Sequence, residues 1–374
     1  MTPPRERAVA EKRPAALSGK ERYERFLQAD IRRSRAMAAE KAVSAAEVSG
    51  TILADLDRRS GKPGFWQVEP LPVRGRDSWV FKVHTPLAPW PVAVKVYCTA
   101  VPPEEISLQG EHLGKYHRAM AARPGLTVPA FWAGLPEHRT LVMEWIEAPR
   151  MDDLLRQARG RRGERSRLFA AAGAWLRHYH AQSEAVDRAL RVKSYPHHID
   201  MLLGGGDGAG RHVGDAVFRK AYDALIKHAE AAGKCRVAHV MAHGDFVPHN
   251  VFHGGGRTVG FDMVARLRPA LSDICHFLVH AEIKKPLAPW QCARLDPTGI
   301  GRPEMEAFLE AYGAPEHLGS KAMTYMQLNE ALLRWAVLIS HRRRGGRPKP
   351  EHLIDWVRYR RVAGRAAAAL EASR

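Results

Sequence analysis

The sequence predicts a two-lobed α+β protein. Its 374 residues exceed the usual size of one compact core, so two lobes are the natural division. Strand-type patterns dominate the chain up to about residue 147, and helical patterns dominate the part that follows Pro149. Strands gathered in one part of a chain and helices in another are typical of an α+β architecture.

Three parts are predicted along the chain. Residues 1–62 form a helical N-terminal extension, because residues 21–57 are rich in Ala, Glu and Arg and place apolar side chains at helical spacing. Residues 63–147 form the small, strand-rich lobe, and residues 148–374 form the larger lobe. In the small lobe, strands are predicted over residues 79–83, 92–97, 128–133 and 140–145, and a helix over 104–121.

The larger lobe is predicted to be mainly helical, with one exception. Two strand-like runs, residues 250–253 and 258–262, are joined by three consecutive glycines, and this pattern predicts a hairpin. Helices are predicted over residues 151–158, 165–182, 215–232, 303–312, 321–341 and 351–372.

The composition is that of a folded protein, with 45% apolar and 26% charged residues. The four cysteines lie far apart and form no CxxC pair, which predicts reduced thiols in a cytoplasmic setting and no zinc site. The histidines His197, His198 and His249 show no metal-ligand spacing either. No stretch approaches the ~18 apolar residues of a membrane span, and the N-terminus has no apolar signal segment, so neither insertion nor secretion is predicted.

A net charge of +18 favours an anionic partner, such as a nucleotide, a phosphorylated substrate, an acidic lipid surface or a nucleic acid. Much of the excess lies at the end of the chain, where residues 341–374 hold ten Arg and Lys against three Asp and Glu. A solvated tail and helix face is the simpler interpretation of that segment.

The most informative segment runs from His243 to Asn250 and is followed by Phe261 and Asp262. Phosphoryl transfer requires a carboxylate at the nucleophile and oxygen ligands for Mg²⁺. Asp245 and Asn250 lie five residues apart on a predicted loop, and the glycine hairpin returns Asp262 beside Asn250, so that an amide oxygen and a carboxylate can share a hard cation. A chance hairpin whose polar residues cap turns is the alternative interpretation.

The pattern His-x-Asp-x4-Asn with a second Asp resembles the catalytic loop and metal-binding segment of the aminoglycoside phosphotransferase and choline kinase group, relatives of protein kinases. The resemblance implies a protein-kinase-like fold with a nucleotide-binding N-lobe and a catalytic, acceptor-binding C-lobe. It implies that Asp245 orients the acceptor hydroxyl, that Asn250 and Asp262 bind Mg²⁺, and that His243 completes the catalytic loop as a structural member. Asp273 resembles the helix-start aspartate that braces this loop.

Lys95 is a second sign of the same fold. Val-Ala-Val-Lys on a strand resembles the element on which kinase-like proteins carry the lysine that holds the α- and β-phosphates. Its carboxylate partner is expected on the following helix, where Glu111 fits the pattern of the family better than Glu104 or Glu105. A surface position for Glu111 and for the lysine is the alternative.

The resemblance also suggests the remaining nucleotide contacts. In place of a Gly-x-Gly-x-x-Gly loop the chain has a single glycine, Gly75, with Ser78 placed to hydrogen bond phosphate. The segment that contains Glu144 and Ile146 resembles the hinge, where backbone groups pair with the purine of ATP or GTP. The departure at the glycine loop leaves the choice of nucleotide open.

The acceptor is predicted to be a neutral or anionic small molecule or saccharide. Residues 150–236 hold seventeen Arg and Lys against ten Asp and Glu, a balance that disfavours a polycation. The sequence around Lys95, with a glutamate on the following helix, also resembles lipopolysaccharide core kinases, which would suit a basic enzyme at an anionic membrane face.

Two further functions are open. A non-catalytic kinase-like protein could recruit acidic lipid or nucleic acid through its basic tail, although retention of Lys95, Asp245, Asn250 and Asp262 argues against it and a nucleic-acid partner is disfavoured. Protein-kinase activity is weakened because no Ala-Pro-Glu segment follows Asp262.

Overall fold

The structure is a computed structural model that describes residues 43–61, 64–74, 77–98, 101–158, 160–284, 295–343 and 350–373. The chain divides into two compact units, and each is formed by two segments. The first unit contains Met1–Ile106 and Gly134–Val142, and the second contains Ser107–Ala133 and Met143–Arg374. Most of the predicted N-terminal extension lies outside the described residues, so the three-part division of the chain stays a prediction.

A six-stranded sheet forms the small lobe. Its strands follow one another in the order β1, β3, β4, β7 and β6, and β2 also pairs with β3; the resolved pairs β1/β3, β2/β3 and β3/β4 are antiparallel. Every residue of β4 except the last is buried, which its run of valines explains. The strands are β1 Gln67–Val68, β2 Val73–Arg74, β3 Ser78–His84, β4 Val92–Tyr97, β6 Phe131–Leu135 and β7 Thr140–Glu144.

A short helical segment precedes this sheet. It consists of α1 Ala45–Glu47, a π-helical stretch Val48–Leu53 and α2 Ala54–Ser60. The Ser44 side chain accepts the backbone N–H of Glu47 and caps the first turn. The helix predicted before residue 57 is therefore observed over its described portion, and the rest lies outside the described residues.

The larger part is mainly helical. Its core is built around buried aromatic side chains: Trp175 stacks on both Tyr179 and Phe246, and Phe246 stacks on Phe277. The helices are α3 Pro103–Met120, α4 Met151–Gln157, α5 Arg162–His180, α6 Ser194–Leu202, α7 Ala216–Lys227, α8 Ala229–Gly233, α9 Ala270–Ile283, α10 Arg302–Tyr312, α11 Lys321–Arg343 and α12 Pro350–Ala372.

Two three-stranded sheets lie within the second unit. In one, β9 (Arg236–Ala242) pairs antiparallel with both β8 (Val186–Ala189) and β12 (Arg266–Pro269). In the other, β10 (Val251–Gly254) and β11 (Arg257–Gly260) form the predicted hairpin, and β5 (Leu126–Thr127) joins β11 in parallel. The first of these sheets was not anticipated from the sequence.

The fold class predicted from the sequence is confirmed: the protein is mixed α+β, with a small sheet lobe and a larger helical part. Among the helices that the structure describes, none combines the length and the apolar character needed to cross a bilayer.

Candidate active site

The loop that carries Asp245 connects β9 to β10 and ends in a 3₁₀ turn, Pro248–Asn250. Its entry depends on a glycine, because Gly244 has a φ of +84°. A β-carbon at this position would also lie 3.0 Å from the β-carbon of Val264. The backbone N–H of Val264 donates to the carbonyl of His243 at 2.8 Å, so the chain after the hairpin closes against the loop.

Asp273, in the first turn of α9, holds the backbone at the start of the Asp245 loop. Its carboxylate accepts the backbone N–H groups of His243 at 2.6 Å and Gly244 at 2.9 Å, and it contacts His180 Nε2 at 2.9 Å. Burial alone would raise the pKa of Asp273, but the contact with His180 and the backbone donors lower it below its ordinary value. The carboxylate is therefore held ionised, and the bracing role expected of it has a direct geometric basis.

His243 is enclosed by the core. Its Nδ1 accepts the backbone N–H of Asp245 at 3.4 Å, and its ring packs against Trp175 and Phe246. Its Nε2 is buried and has no hydrogen-bond partner in the described part of the chain. Burial lowers the pKa of His243, which favours the neutral ring.

Asp245 and Asn250 are joined by the Asn250 side chain. The amide Nδ2 donates to the backbone carbonyl of Asp245 at 2.9 Å and to its carboxylate Oδ2 at 3.0 Å. Asn250 is buried, whereas 44% of the Asp245 side chain is exposed. The Asp245 carboxylate is thus accessible to a ligand, and its orientation is fixed by the hydrogen bond from the Asn250 amide.

The hairpin places Asp262 next to Asn250. Val251 pairs with Gly260 in register, and the N–H of Phe261 donates to the carbonyl of Asn250 at 3.1 Å, so Asp262 follows directly on the residue opposite Asn250. Asp262 has a φ of +61°, a conformation in which aspartate is tolerated better than most residues, and it is exposed.

The arrangement fits a magnesium site. Because the nitrogen of the Asn250 amide is occupied by Asp245, its Oδ1 is turned away, and no donor among the described residues hydrogen bonds to that oxygen. An amide oxygen and the Asp262 carboxylate are hard ligands of the kind that Mg²⁺ prefers, together with water and phosphate oxygens.

A close contact with the core determines the hairpin's position. A β-carbon on Gly260 would lie 2.4 to 2.9 Å from three atoms of the Trp175 indole, so only glycine fits. The same indole donates to the carbonyl of Thr127 at 2.7 Å, and the N–H of Thr258 donates to the carbonyl of Gly125 at 2.8 Å. The segment that carries Asp262 is therefore fixed to α5 and to β5.

Three side chains beside Asp245 were not singled out from the sequence: His276, Glu330 and Arg334. His276 Nε2 lies 3.8 Å from Asp245 Oδ1 and accepts a hydrogen bond from Arg334 Nη2. Arg334 Nε donates to Glu330 Oε1 at 2.7 Å. The spacing of Glu330 and Arg334, four residues apart on a predicted helix, is a weak signal of an ion pair, but nothing in it indicates a position near the Asp245 loop.

Lys95 and Ser78 lie in the first unit. Lys95 occupies β4 opposite Val80 of β3, is 9% exposed, and its amino group lies 4.8 Å above the ring of Tyr97. Ser78 is the first residue of β3 and is buried. Gly75 lies outside the described residues.

Glu111, Glu144 and Ile146 lie in the second unit. Glu111 is exposed on α3. The Glu144 carboxylate accepts the backbone N–H of Ala130 at 3.1 Å and Arg257 Nη1 at 3.0 Å, so its side chain fastens this segment to β11. Ile146 is half-buried.

The structure thus brings His243, Asp245, Asn250 and Asp262 together within one unit. The predicted pair of Lys95 and Glu111 spans the two units, and their convergence with the loop stays a prediction.

A separate group of potential metal ligands, Asp55, Glu137 and His138, occurs in the first unit. Arg59 contacts both carboxylates, with Nε at 2.8 Å from Asp55 Oδ2 and Nη2 at 2.7 Å from Glu137 Oε1. A cation would have to compete with the guanidinium, so this group is an ion-pair cluster.

Comparison with solved structures identifies the fold. One similar structure is a choline/ethanolamine kinase family protein from Mesorhizobium loti, with 15% identity and a TM-score of 0.52 over 87% of this chain and 100% of that protein. Another is a spectinomycin phosphotransferase in complex with ADP and spectinomycin, with 14% identity and a TM-score of 0.50 over 86% of this chain and 98% of that protein. No protein-family model matches the sequence, and a sequence comparison with curated proteins gives no significant match.

The chain therefore has the protein-kinase-like fold found in small-molecule phosphotransferases. The resemblance drawn from the catalytic loop is confirmed at the level of the fold.

Proposed function

We propose that the protein is an ATP-dependent phosphotransferase that moves the γ-phosphate to a hydroxyl group of a small-molecule or saccharide acceptor. The observation that carries this proposal is the Asn250 amide, whose nitrogen holds the accessible Asp245 carboxylate while its oxygen is left to a cation beside Asp262. Phosphoryl transfer needs an oriented nucleophile next to a metal-bound phosphate, and this arrangement supplies both subsites.

Each residue then has a distinct task. Asp245 orients the acceptor hydroxyl and accepts its proton, and Asn250 and Asp262 hold Mg²⁺. When bound, the metal would neutralise the charge of the nucleotide phosphates. Asp273 and His243 keep the loop in place.

The nucleotide contacts are proposed from the resemblance. Lys95 would hold the α- and β-phosphates, with Glu111 as its partner, while Gly75 and Ser78 would cover the phosphates. Backbone groups of Glu144 and Ile146 would pair with the purine of ATP or GTP. The complex of the similar spectinomycin phosphotransferase with ADP supports a nucleotide as one partner. We place the reaction in the cytoplasm, where ATP is available.

Two variants test the proposal. Asp245→Asn should reduce phosphate transfer by at least roughly 100-fold, because the acceptor proton loses its base, while Mg-ATP binding is retained. Asp262→Ala should weaken Mg-ATP binding itself, because a metal ligand is lost. Nucleotide binding is measured by calorimetry, and transfer by phosphorus NMR over a panel of alcohols.

Asp207→Asn is a matched control, because this carboxylate lies in the same unit and its side chain is 92% exposed. It should behave as wild type in both measurements. Equal transfer by wild type and Asp245→Asn would refute the assignment, as would failure of the wild type to bind Mg-ATP.

A further inference from the structure

The surface beside Asp245 carries a guanidinium group with unused hydrogen-bond donors. Arg334 has five N–H groups, and the described residues accept only two of them: Glu330 accepts from Nε and His276 from Nη2. Its side chain is 34% exposed. Nη1 is not among the buried polar atoms that lack a partner, so its two N–H groups reach solvent.

This guanidinium and the Asp245 carboxylate share one neighbour. His276 Nε2 accepts the Arg334 donor and lies 3.8 Å from Asp245 Oδ1. Arg334 Nη2 and Asp245 Oδ1 therefore both lie within 3.8 Å of a single ring nitrogen. A molecule whose hydroxyl contacts Asp245 would have the Arg334 guanidinium nearby.

His276, the shared neighbour, adds no charge. Because Nε2 accepts from an arginine, which is always protonated, its lone pair is engaged and the ring is neutral. Burial and the charge of Arg334 lower the pKa of His276 to about 4, in agreement with this tautomer. His280, on the same face of α9, is likewise kept neutral, because burial and neighbouring positive charges lower its pKa.

Glu330 is the ion-pair partner of Arg334. Burial would raise the pKa of Glu330, but His276, Arg334 and Arg268 lower it. Arg268 is placed there by β12, where it is opposite Val240 of β9, the strand that leads into the catalytic loop.

We infer that Arg334 binds an anionic oxygen group, a carboxylate or a phosphate, that the acceptor molecule carries close to its reacting hydroxyl. The inference rests on the proposed function and names the class of its substrate. A guanidinium offers donors only, so it pairs with carboxylate or phosphate oxygens and has nothing to offer an ammonium group. Contacts with both Glu330 and His276 hold the guanidinium in one orientation, which favours recognition of a planar or tetrahedral oxyanion.

A matched set of acceptors tests this inference. Glycerol, glycerate, glycerol 3-phosphate and 3-amino-1,2-propanediol share a hydroxyl-bearing carbon and differ in one substituent. Glucose, gluconate, glucose 6-phosphate and glucosamine form the same set on a sugar. We expect a carboxylate or phosphate member to have the highest kcat/KM in its set and the amine the lowest. Which of the two anions is preferred then identifies the anionic group.

Arg334→Gln should lower kcat/KM for the anionic member by roughly 10- to 100-fold and for the neutral member by less than about threefold, with Mg-ATP affinity unchanged. Arg302→Gln is the control, because Arg302 Nε makes the same i,i+4 contact with Glu306, also at 2.7 Å, on an exposed helix face. It should leave both values unchanged. Arg334→Lys keeps the charge and should lose less than the glutamine variant, so it tests the charge if Arg334→Gln does not fold.

A binding measurement separates this inference from the proposed function. Inorganic phosphate is titrated by calorimetry into wild type, Arg334→Gln and Arg302→Gln, each saturated with a non-hydrolysable ATP analogue and Mg²⁺. Binding that is roughly tenfold weaker in Arg334→Gln alone supports the anion site even if no tested alcohol is phosphorylated. Equal phosphate affinity in all three proteins, or an amine as the best acceptor, would overturn the inference and leave the phosphotransferase proposal standing.

Discussion

The backbone N–H of His243 donates to the carboxylate of Asp273 at 2.6 Å, so the residue that opens the Asp245 loop is held by the first turn of α9. The second oxygen of the same carboxylate accepts the N–H of Gly244 at 2.9 Å. Two adjacent amides are thus fixed by one buried charged group, and hydrogen bonds to charged groups are the stronger kind. The backbone immediately before Asp245 is therefore fixed by contacts that do not involve the Asp245 side chain.

Asp273→Asn is predicted to destabilise the protein by about 2 to 4 kcal/mol. An asparagine keeps one acceptor oxygen and turns an NH₂ group toward an N–H donor, which leaves a buried donor unsatisfied. Asp215→Asn is the matched control, because Asp215 also accepts two backbone N–H groups, at the start of α7, and asparagine is an equally good cap. Chemical denaturation measures both, and an Asp273→Asn protein as stable as wild type would contradict the brace.

The pH dependence of this contribution has a definite sign. The folded pKa of Asp273 lies below its ordinary 3.8, because His180 and the backbone donors outweigh the effect of burial. The stabilisation from Asp273 is therefore complete above the ordinary pKa of 3.8, and it is lost as the pH falls through the lower pKa of the folded state. The stability of Asp273→Asn should converge with that of wild type only in strong acid.

Gly260→Ala is predicted to cost about 1 to 3 kcal/mol of stability and to displace Asp262. The added methyl group would lie 2.4 to 2.9 Å from atoms of the Trp175 ring, so either the hairpin or the indole must move. Gly206→Ala is the control, because a methyl group there meets nothing within 4 Å. Denaturation and tryptophan fluorescence report the two effects, and unchanged stability in Gly260→Ala would show that the contact is not tight.

His276→Gln is predicted to remove part of the acid sensitivity of the protein. The pKa of His276 is about 4 in the folded state, against 6.5 for an ordinary histidine, because of burial and the charge of Arg334. Between these values the unfolded chain binds the proton more readily, so stability falls as the pH is lowered from 6.5 toward 4, by up to about 3 kcal/mol.

The measurement for His276 is the difference between two curves of unfolding free energy against pH. That difference should change over pH 4 to 6.5 and be constant above it. His197→Gln, at a half-buried histidine that contacts Asp207, serves as the control. Parallel curves for wild type and His276→Gln over the whole range would mean that the ring is not held neutral.

The sequence predicted those parts of the fold that have a strong local pattern. The hairpin was indicated by its three glycines, and α11 and α12 by long helical periodicity, within two residues at each end. The strand predicted over residues 128–133 is observed only from Phe131, as β6, and β5 ends before it at Thr127; Pro129, between the two, has no N–H for a ladder.

Other parts could not be predicted locally. The helix α9 is buried on nearly all sides and has no polar face to give it a helical period, so the sequence pattern predicts no helix there and only the resemblance singles out Asp273. In the site, spacing within one loop brought Asp245 and Asn250 together, whereas His276 and Arg334 come from helices that meet the loop only through tertiary packing. Glu144 was expected to act through its backbone, and its carboxylate contact with Arg257 depends on a residue 113 positions away.

The double attachment of the Asn250 side chain affects how variants of this site must be interpreted. Its nitrogen orients Asp245 by donating to both the carbonyl and the carboxylate of that residue, and its oxygen is the proposed cation ligand. Replacing it would therefore disturb proton acceptance and metal affinity in a single step, and no kinetic experiment on that variant could attribute the loss to either. Asp262, which does not share the amide, is the position at which a defect confined to the metal can be produced.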